Sequence, residues 1–204
     1  MHNMETYNLA LVTKKIYDSR LNFFSLKTLR DILEIKKDRS LYSVIRRLLE
    51  NEVLKKIEKN KYLLENTKLN DFLLANLIYT PSYISFESAL NFYGILSQFP
   101  YEVTSATSKK TLQKIIDEKT YSYIHLKKEL FWGYEKKDNF LIALPEKALL
   151  DELYLVSKGL KNFQLGEHDF SLINKDRLKN FLIKFPQTEQ FKALTGELIK
   201  TKDM

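Results

Sequence analysis

The spacing of apolar and polar residues changes character along the chain and predicts helices first, then a hairpin, then a longer mixed segment. Between Ser25 and Leu64 the pattern indicates two short helices followed by two short strands. In the second helix, from about Ser40 to Asn51, apolar residues recur at helical spacing. They are expected to form the buried face of this helix: Leu41, Val44, Ile45, Leu48 and Leu49.

The two helices that precede this one are also predicted by their sequences. Leu9 to Tyr17 reads as an amphipathic helix with Leu9, Val12 and Ile16 on one face. The next helix has the sequence LKTLRDIL, and Ser25 stands before it. Its hydroxyl is placed to accept a hydrogen bond from an unpaired amide of the first turn. Three helices and a hairpin are therefore expected in the first third of the chain.

The exposed side of the second helix and the hairpin are strongly basic. After the helix, VLKKIEKNKYLL predicts two strands around a polar tip that carries lysines. Residues 36 to 61 hold nine Lys or Arg against four acids, so this segment supplies +5 of the formal net charge of +7. A local basic face on a helix that fits the major groove is typical of DNA binding.

The order helix, turn, helix and basic hairpin predicts a winged helix-turn-helix over residues 1–65 that binds double-stranded DNA. A basic helix face that is merely solvated is the plainer alternative. On the winged-helix interpretation, Tyr42, Ser43 and Arg46 face base edges, and lysines of the loop and hairpin meet phosphates. The full predicted set is Lys36, Lys37, Arg39, Ser40, Tyr42, Ser43, Arg46, Arg47, Lys55, Lys56, Lys59, Asn60 and Lys61.

Residues 66–204 predict a separate mixed α+β domain, so the fold class is α+β. A helix over Asn70 to Tyr79 is followed by FESALNFYG, a helix that Ser85 is placed to cap and that Gly94 ends. From Tyr101 to Leu144 the period changes to two, which predicts strands. Within this stretch KKTLQKIIDEK is interpreted as a short helix or a polar connector, and EKKDN as a hairpin turn.

Three helices are expected to close the chain. The first begins at Pro145, because proline fits the first helical position, where no amide hydrogen bond is lost. The other two are predicted over Asp176 to Phe185, capped by Asn174, and over Glu189 to Lys200.

Composition narrows the possible functions. There is no cysteine, which excludes disulfides and thiolate metal sites and suits a reducing compartment. No apolar run approaches the ~20 residues that cross a bilayer. The opening MHNMETYNLA lacks the basic-then-apolar pattern of a signal peptide. We therefore expect a cytoplasmic protein without a membrane association.

Several blocks of the chain resemble a known family. The basic winged helix, YISFESALNFYGIL, YEVTSATSKKT and IALPEKALLDELYL together resemble the AbiEi family of antitoxins and transcriptional regulators from bacterial abortive-infection systems of the type IV toxin-antitoxin class. The resemblance covers nearly the whole chain. It implies a repressor that binds inverted repeats in the promoter of its own operon, and a homodimer on DNA is the partner arrangement considered. It also implies a C-terminal domain that counters a nucleotidyltransferase-like toxin without a stable complex.

Four charged residues stand out in the two most specific blocks: Glu87, Glu146, Lys147 and Asp151. The favoured interpretation is structural. Glu146 falls in the first turn of a helix, where an acid complements the helix dipole, and Ala148, Leu149, Leu150 and Leu153 pack into the core. A role in opposing the toxin is the alternative.

Two other functions are weighed against the repressor. A metal-dependent nuclease needs an acid followed by Glu-x-Lys on a strand. Asp117 with Glu135 and Lys137 matches this pattern, as does Glu34-Ile35-Lys36, but EKKDN is expected at a hairpin tip. A protein-interaction or dimerisation surface built on Phe131, Trp132 and Tyr134 is the other candidate, with core packing of these aromatic residues preferred.

No cofactor is expected. His2, His125 and His168 show no spacing typical of metal ligands. The chain has only 5 glycines and no glycine-rich phosphate loop or nucleophile elbow. We therefore predict no catalytic residues and no metal site.

Overall fold

A computed structural model describes residues 7–200. This part of the chain is a mixed α+β structure with eight α-helices and two β-sheets, which confirms the predicted class. It divides into two compact units, the first ending at Leu69 and the second beginning at Asn70.

The first unit contains three helices and a three-stranded antiparallel sheet of order β1-β3-β2. Its elements are α1 (Leu9–Asp18), β1 (Phe23–Ser25), α2 (Leu26–Leu33), α3 (Asp38–Glu50), β2 (Leu54–Glu58) and β3 (Lys61–Leu64). The predicted hairpin is confirmed as β2 and β3. Strand β1 was not predicted, because three residues are too short to show a period of two.

The predicted apolar faces form the core of the first unit. Val12 and Ile16 of α1 are buried, and Leu9 packs against them. On α3 the four residues Leu41, Val44, Ile45 and Leu48 are buried and Leu49 is partly buried. The Ser25 hydroxyl accepts a hydrogen bond from the Thr28 amide at 3.0 Å, as expected for a helix cap.

The second unit is built on a six-stranded mixed sheet of order β6-β7-β5-β4-β9-β8. The β4–β9 and β5–β7 pairs are parallel and the other neighbours are antiparallel. Its elements are α4 (Asp71–Ile78), β4 (Ser82–Ile84), α5 (Phe86–Phe92), β5 (Glu102–Thr107), β6 (Leu112–Ile116), β7 (Lys119–His125), β8 (Tyr134–Lys137), β9 (Phe140–Ala143), α6 (Pro145–Val156), α7 (Lys175–Leu182) and α8 (Glu189–Lys200).

Two local expectations in the sheet were wrong. The segment interpreted as a short helix or connector contains strand β6, in which Gln113 and Ile115 are exposed and the alternate residues are covered. Its lysines and glutamine interrupt the alternation of apolar and polar residues by which a strand is predicted. In the second hairpin only Asp138 and Asn139 form the tip, because Lys137 already pairs with Phe140. Glu135 and Lys137 therefore lie on strand β8 rather than in the turn.

Helix α6 is the central helix of the second unit. It begins with Pro145 as predicted and packs against α5, α7, α8 and β9. Every residue from Glu146 to Leu155 is buried, including four charged ones. Before it, Gly94 ends α5 with φ of +76°, as expected for a left-handed helix end.

Candidate functional site

The basic residues of α3 and the hairpin lie where the sequence places them, on and beside an exposed helix face. Seven of the predicted contact residues are exposed: Lys36, Lys37, Arg39, Tyr42, Arg46, Lys56 and Lys59. Six are partly buried: Ser40, Ser43, Arg47, Lys55, Asn60 and Lys61. The apolar face of α3 is thus held by the core while its basic face is turned outward.

The approach to α3 is fixed by an arginine of the preceding helix. Arg30 donates one hydrogen bond to the Lys36 carbonyl at 2.9 Å and pairs with Asp38 at 2.5 Å. Asp38 lies in the first turn of α3, where a carboxylate also complements the helix dipole. These contacts set the direction in which α3 leaves the α2–α3 loop.

The two arginines in the middle of α3 differ in their surroundings. Arg47 is partly buried and donates a hydrogen bond to the Tyr7 carbonyl at 2.7 Å, so it ties α3 to the start of α1. Arg46 is exposed and lies 3.4 Å from Glu50, a contact of small energy in water. Arg46 is therefore available to a ligand, whereas Arg47 already has an internal role.

The hairpin tip is attached to the rest of the unit. Asn60 adopts a φ of +61°, which lets the chain turn within two residues, and its carbonyl accepts a hydrogen bond from the Leu26 amide at 3.0 Å. Lys59 stands exposed at this tip. The turn residues thus place a cation at a defined position beside the start of α2.

The second candidate region contains a buried network that includes two of the four signature residues. Lys147 and Asp151 form an ion pair with 0% exposure of either side chain. Asp151 also accepts hydrogen bonds from the Ser85 hydroxyl at 2.8 Å and the Tyr83 hydroxyl at 3.0 Å, and Lys147 donates to Tyr83 at 2.9 Å. Ser85 stands at the N-cap position of α5 as expected, but its hydroxyl is bonded to Asp151 and makes no cap hydrogen bond. Sequence reasoning also missed Tyr83.

Burial dominates the electrostatics of this network. It raises the pKa of the Asp151 carboxyl and lowers the pKa of the Lys147 ammonium, and their direct contact opposes both shifts. Burial near Asp151 also raises the pKa of Tyr83 well above its ordinary value, so the phenol keeps its proton. A sealed network of this kind holds β4, α5 and α6 together and has no access for a substrate.

Glu146 and Glu87 each have one cationic neighbour. Glu146 is buried, accepts a hydrogen bond from the Asn174 amide at 2.8 Å and lies 3.4 Å from Arg177, so it connects α6 with the start of α7. Glu87 on α5 pairs with Lys161. These contacts and the Lys147–Asp151 pair support the structural interpretation of the signature residues.

The three aromatic residues considered as a contact patch are partly buried and pack internally. Phe131 and Tyr134 lie with ring centroids 5.0 and 4.6 Å from Tyr83. Trp132 packs edge-on against Phe181 at 4.9 Å. Core packing is thus the role that their contacts support.

The residues of the nuclease pattern do not meet. Asp117 follows β6 and Glu135 and Lys137 lie on β8, and these strands are the opposite edges of the six-stranded sheet. Five strand spacings separate them, a distance of about 24 Å. In the other match, Ile35 is buried and Glu34 pairs with Lys15 at 2.6 Å.

The described part of the chain contains neither a cluster of metal ligands nor a helix that could span a bilayer. Over residues 7–200 no three His, Asp or Glu side chains are grouped as a metal ion requires. His2 and the opening segment lie outside these residues. No helix within the same range combines the length and apolar character of a bilayer span.

Comparison of the sequence with models of known protein families and with curated proteins found no match.

Proposed function

We propose that the first unit is a winged helix-turn-helix that binds double-stranded DNA, with α3 as the recognition helix and β2–β3 as the wing. The observation that carries the proposal is the segregation of α3 into a buried apolar face and an exposed basic face beside a basic hairpin. Thirteen residues give α3 a length of about 20 Å, which suits insertion into a major groove about 12 Å wide.

The proposed DNA contacts fall into two groups, those to bases and those to phosphates. Tyr42, Ser43 and Arg46 on α3 are proposed to face base edges, where they would read sequence. Lysines of the loop and hairpin are proposed to meet phosphates: Lys36, Lys37, Lys55, Lys56, Lys59 and Lys61. Arg39, Ser40 and Asn60 lie at the margins of this surface, and Arg47 is proposed to act by holding α3 on α1.

The test is a binding titration on the DNA upstream of its own gene. Arg46→Ala should weaken binding by ~1–3 kcal/mol and relax the preference at one base pair, since a bidentate guanine contact is worth that much. Lys14→Ala, an exposed lysine on α1, is the matched control and should bind like the unchanged protein. Equal affinities for Arg46→Ala and the unchanged protein would contradict the role given to α3.

The wider proposal is that the protein represses its own operon and acts as the antitoxin to a nucleotidyltransferase-like toxin. It is supported by the resemblance of both halves of the chain to AbiEi regulators. Inverted repeats present two equal half-sites, so two copies of the chain would bind as a homodimer on DNA.

The two roles are separable in one experiment. A neighbouring nucleotidyltransferase-like gene is expressed together with the full chain or with its Arg46→Ala variant, and growth and promoter activity are both measured. The unchanged chain should restore growth and silence the promoter, whereas the variant should restore growth only. Failure of the unchanged chain to restore growth would refute the antitoxin role and leave the DNA-binding proposal to its own titration.

A further inference from the structure

A cleft of about 420 Å³ opens in the second unit and plays no part in the proposed DNA contact. It is lined by residues of α5, β5 and α6 and of the segments before β5 and after α6. The residues that matter here are Glu87, Gln98, Tyr101, Glu152, Phe163 and His168.

Buried acceptors without a partner are concentrated in this cleft. Six buried side-chain polar atoms in residues 7–200 have no hydrogen-bond partner, and three of them line the cleft: Oε2 of Glu87, Oε2 of Glu152 and Nε2 of His168. Glu152 is only 3% exposed. Since buried polar groups are nearly always paired with protein or ordered water, these three atoms are free to be satisfied by a bound ligand or by water.

Each of the three atoms can accept a hydrogen bond, Glu152 Oε2 once its carboxyl has lost its proton. His168 Nδ1 lies 2.9 Å from the Gln164 carbonyl, which only accepts, so Nδ1 carries the proton and Nε2 presents a lone pair. Burial lowers the pKa of His168, which keeps the ring neutral near pH 7. The matching ligand is therefore a group with several N–H donors.

The cleft is also short of positive charge. Among the residues that the structure describes, the cation near Glu87 and Glu152 is Lys161, which is paired with Glu87. Burial and the neighbouring Glu87 raise the pKa of Glu152 to about 8, so its carboxyl holds a proton near pH 7. Glu102 and Glu167 add carboxylates to the walls. A ligand with a positive charge would take the place of that proton.

Aromatic rings complete the walls. Tyr101 is fully exposed at the rim, and Phe163 stacks on His168 with ring centroids 4.5 Å apart. Rings beside carboxylates favour an organic cation, because aromatic faces attract ammonium and guanidinium groups. A guanidinium suits this cleft best, since it is planar, stacks on rings and carries five N–H donors.

We propose that this cleft binds an alkylguanidinium group, supplied by a small molecule or by an arginine side chain of another polypeptide. The binding group donates to Glu152, Glu87 and His168 and lies against the aromatic rim. The inference does not depend on DNA binding by the first unit.

Because the ligand displaces a proton, its affinity for the cleft should depend on pH. Glu87 and Lys161 act on the Glu152 carboxyl, Glu102, Glu167 and the neutral His168 also line the cleft, and the incoming cation displaces the Glu152 proton. Affinity should therefore rise about tenfold from pH 6 to pH 7 and level off above about pH 8, the pKa of the free carboxyl.

The experiment is calorimetric titration of the full chain with two probes, agmatine and acetyl-Gly-Arg-Gly-amide, in buffers of different ionisation enthalpy. Both probes should bind with release of about one proton at pH 7. Tighter binding of agmatine would identify a small molecule as the source, and tighter binding of the peptide would identify a polypeptide.

Two variants and a control test the geometry. Glu152→Gln is isosteric with the protonated carboxyl and should remove both the proton release and at least about tenfold of the affinity. Tyr101→Ala changes an exposed side chain and should weaken binding about two- to fivefold. Glu129→Gln, an exposed acid outside the cleft, should bind like the unchanged protein.

Three results would overturn the proposal. They are no heat from either probe at about 10 mM, equal binding by the unchanged protein and Glu152→Gln, and binding without proton release at pH 7. The first result would leave the three acceptors to water, and either of the other two would place the bound probe away from Glu152. Thermal melting of every variant establishes that it is folded.

Discussion

At the residue scale, Asp151 is a fully buried side chain on which three polar contacts converge. It binds Lys147 on its own helix and both Tyr83 and Ser85 near the start of α5. Phe86, which follows Ser85, is fully buried and has φ of +56°, a strained conformation for a residue with a side chain. The Ser85–Asp151 hydrogen bond helps to hold the chain in this conformation.

A substitution at Asp151 should therefore be severe. Asp151→Ala leaves the Lys147 ammonium buried without its carboxylate and two hydroxyls without their acceptor. The free energy of unfolding should fall by ~3–5 kcal/mol, as for other buried pairs that lose one partner. Urea unfolding measures this loss, and Glu129→Ala, on the surface, should stay within ~0.5 kcal/mol of the unchanged protein.

A small effect of Asp151→Ala would show that the network contributes little to stability. Replacing both members, as in Lys147→Met with Asp151→Leu, separates the cost of a lone charge from the worth of the pair. We expect the double variant to be more stable than Asp151→Ala, because no uncompensated charge remains buried.

At the element scale, α3 and the β2–β3 hairpin have different expected roles on DNA. The hairpin lysines are proposed to contact phosphates, and each such contact contributes about 0.9 to the slope of log affinity against log salt. Replacing Lys56 and Lys59 by alanine should therefore lower the slope by about 1.8 and weaken all sequences alike.

The measurement is a salt titration of binding to operator and unrelated DNA. Lys14→Ala on α1 serves as the control, and its slope should equal that of the unchanged protein. A double hairpin variant with an unaltered slope would exclude the hairpin from the interface, even if α3 proves to bind.

The helices and strands that the sequence predicts correctly are determined by residues that are close together in the chain. Ser25 caps α2 through the Thr28 amide three residues later, and the apolar face of α3 repeats within 13 residues. Such signals are complete within one or two turns of helix. The hairpin also forms between adjacent segments, so its two strands were foreseen.

The contacts that the sequence did not predict join distant residues. Ser85 and Asp151 are 66 positions apart, and nothing local distinguishes a serine that caps a helix from one that binds a remote carboxylate. Glu152 was missed for a related reason. It follows Asp151 in a leucine-rich helix, and two adjacent acids point to different sides of it. Only the packing of α6 between other elements makes both acids buried.

At the scale of the whole molecule, charge is distributed unequally between the two parts of the chain. The first 65 residues carry a net charge of +5 and the remainder +2. The basic surface that we propose for DNA lies in the first unit, whereas the acidic cleft and the Lys147–Asp151 network lie in the second. Each unit thus has its own charge distribution, which fits the proposal that DNA binding and the antitoxin role belong to different units.

A nuclease domain fused to a DNA-binding unit would also divide the chain into two units. The topology of the six-stranded sheet argues against a nuclease. A metal-dependent nuclease must bring its acid and its Glu-x-Lys pair to one metal ion. Asp117 lies beside one edge strand and Glu135 on the other, about 24 Å away at the usual strand spacing. No side-chain motion spans that distance while the sheet stays intact.

We therefore predict that the purified protein does not cut DNA. Supercoiled and linear DNA containing its own promoter are incubated with the full chain in Mg²⁺ and in Mn²⁺, and the products are separated on a gel. A mobility shift without nicking is expected, because no described constellation places a metal ion and an activated water against a phosphate. Cleavage that disappears in Glu135→Ala but persists in Glu129→Ala would establish the nuclease. Cleavage that persists in both variants would point to a contaminating enzyme, which a second chromatographic step would remove together with the activity.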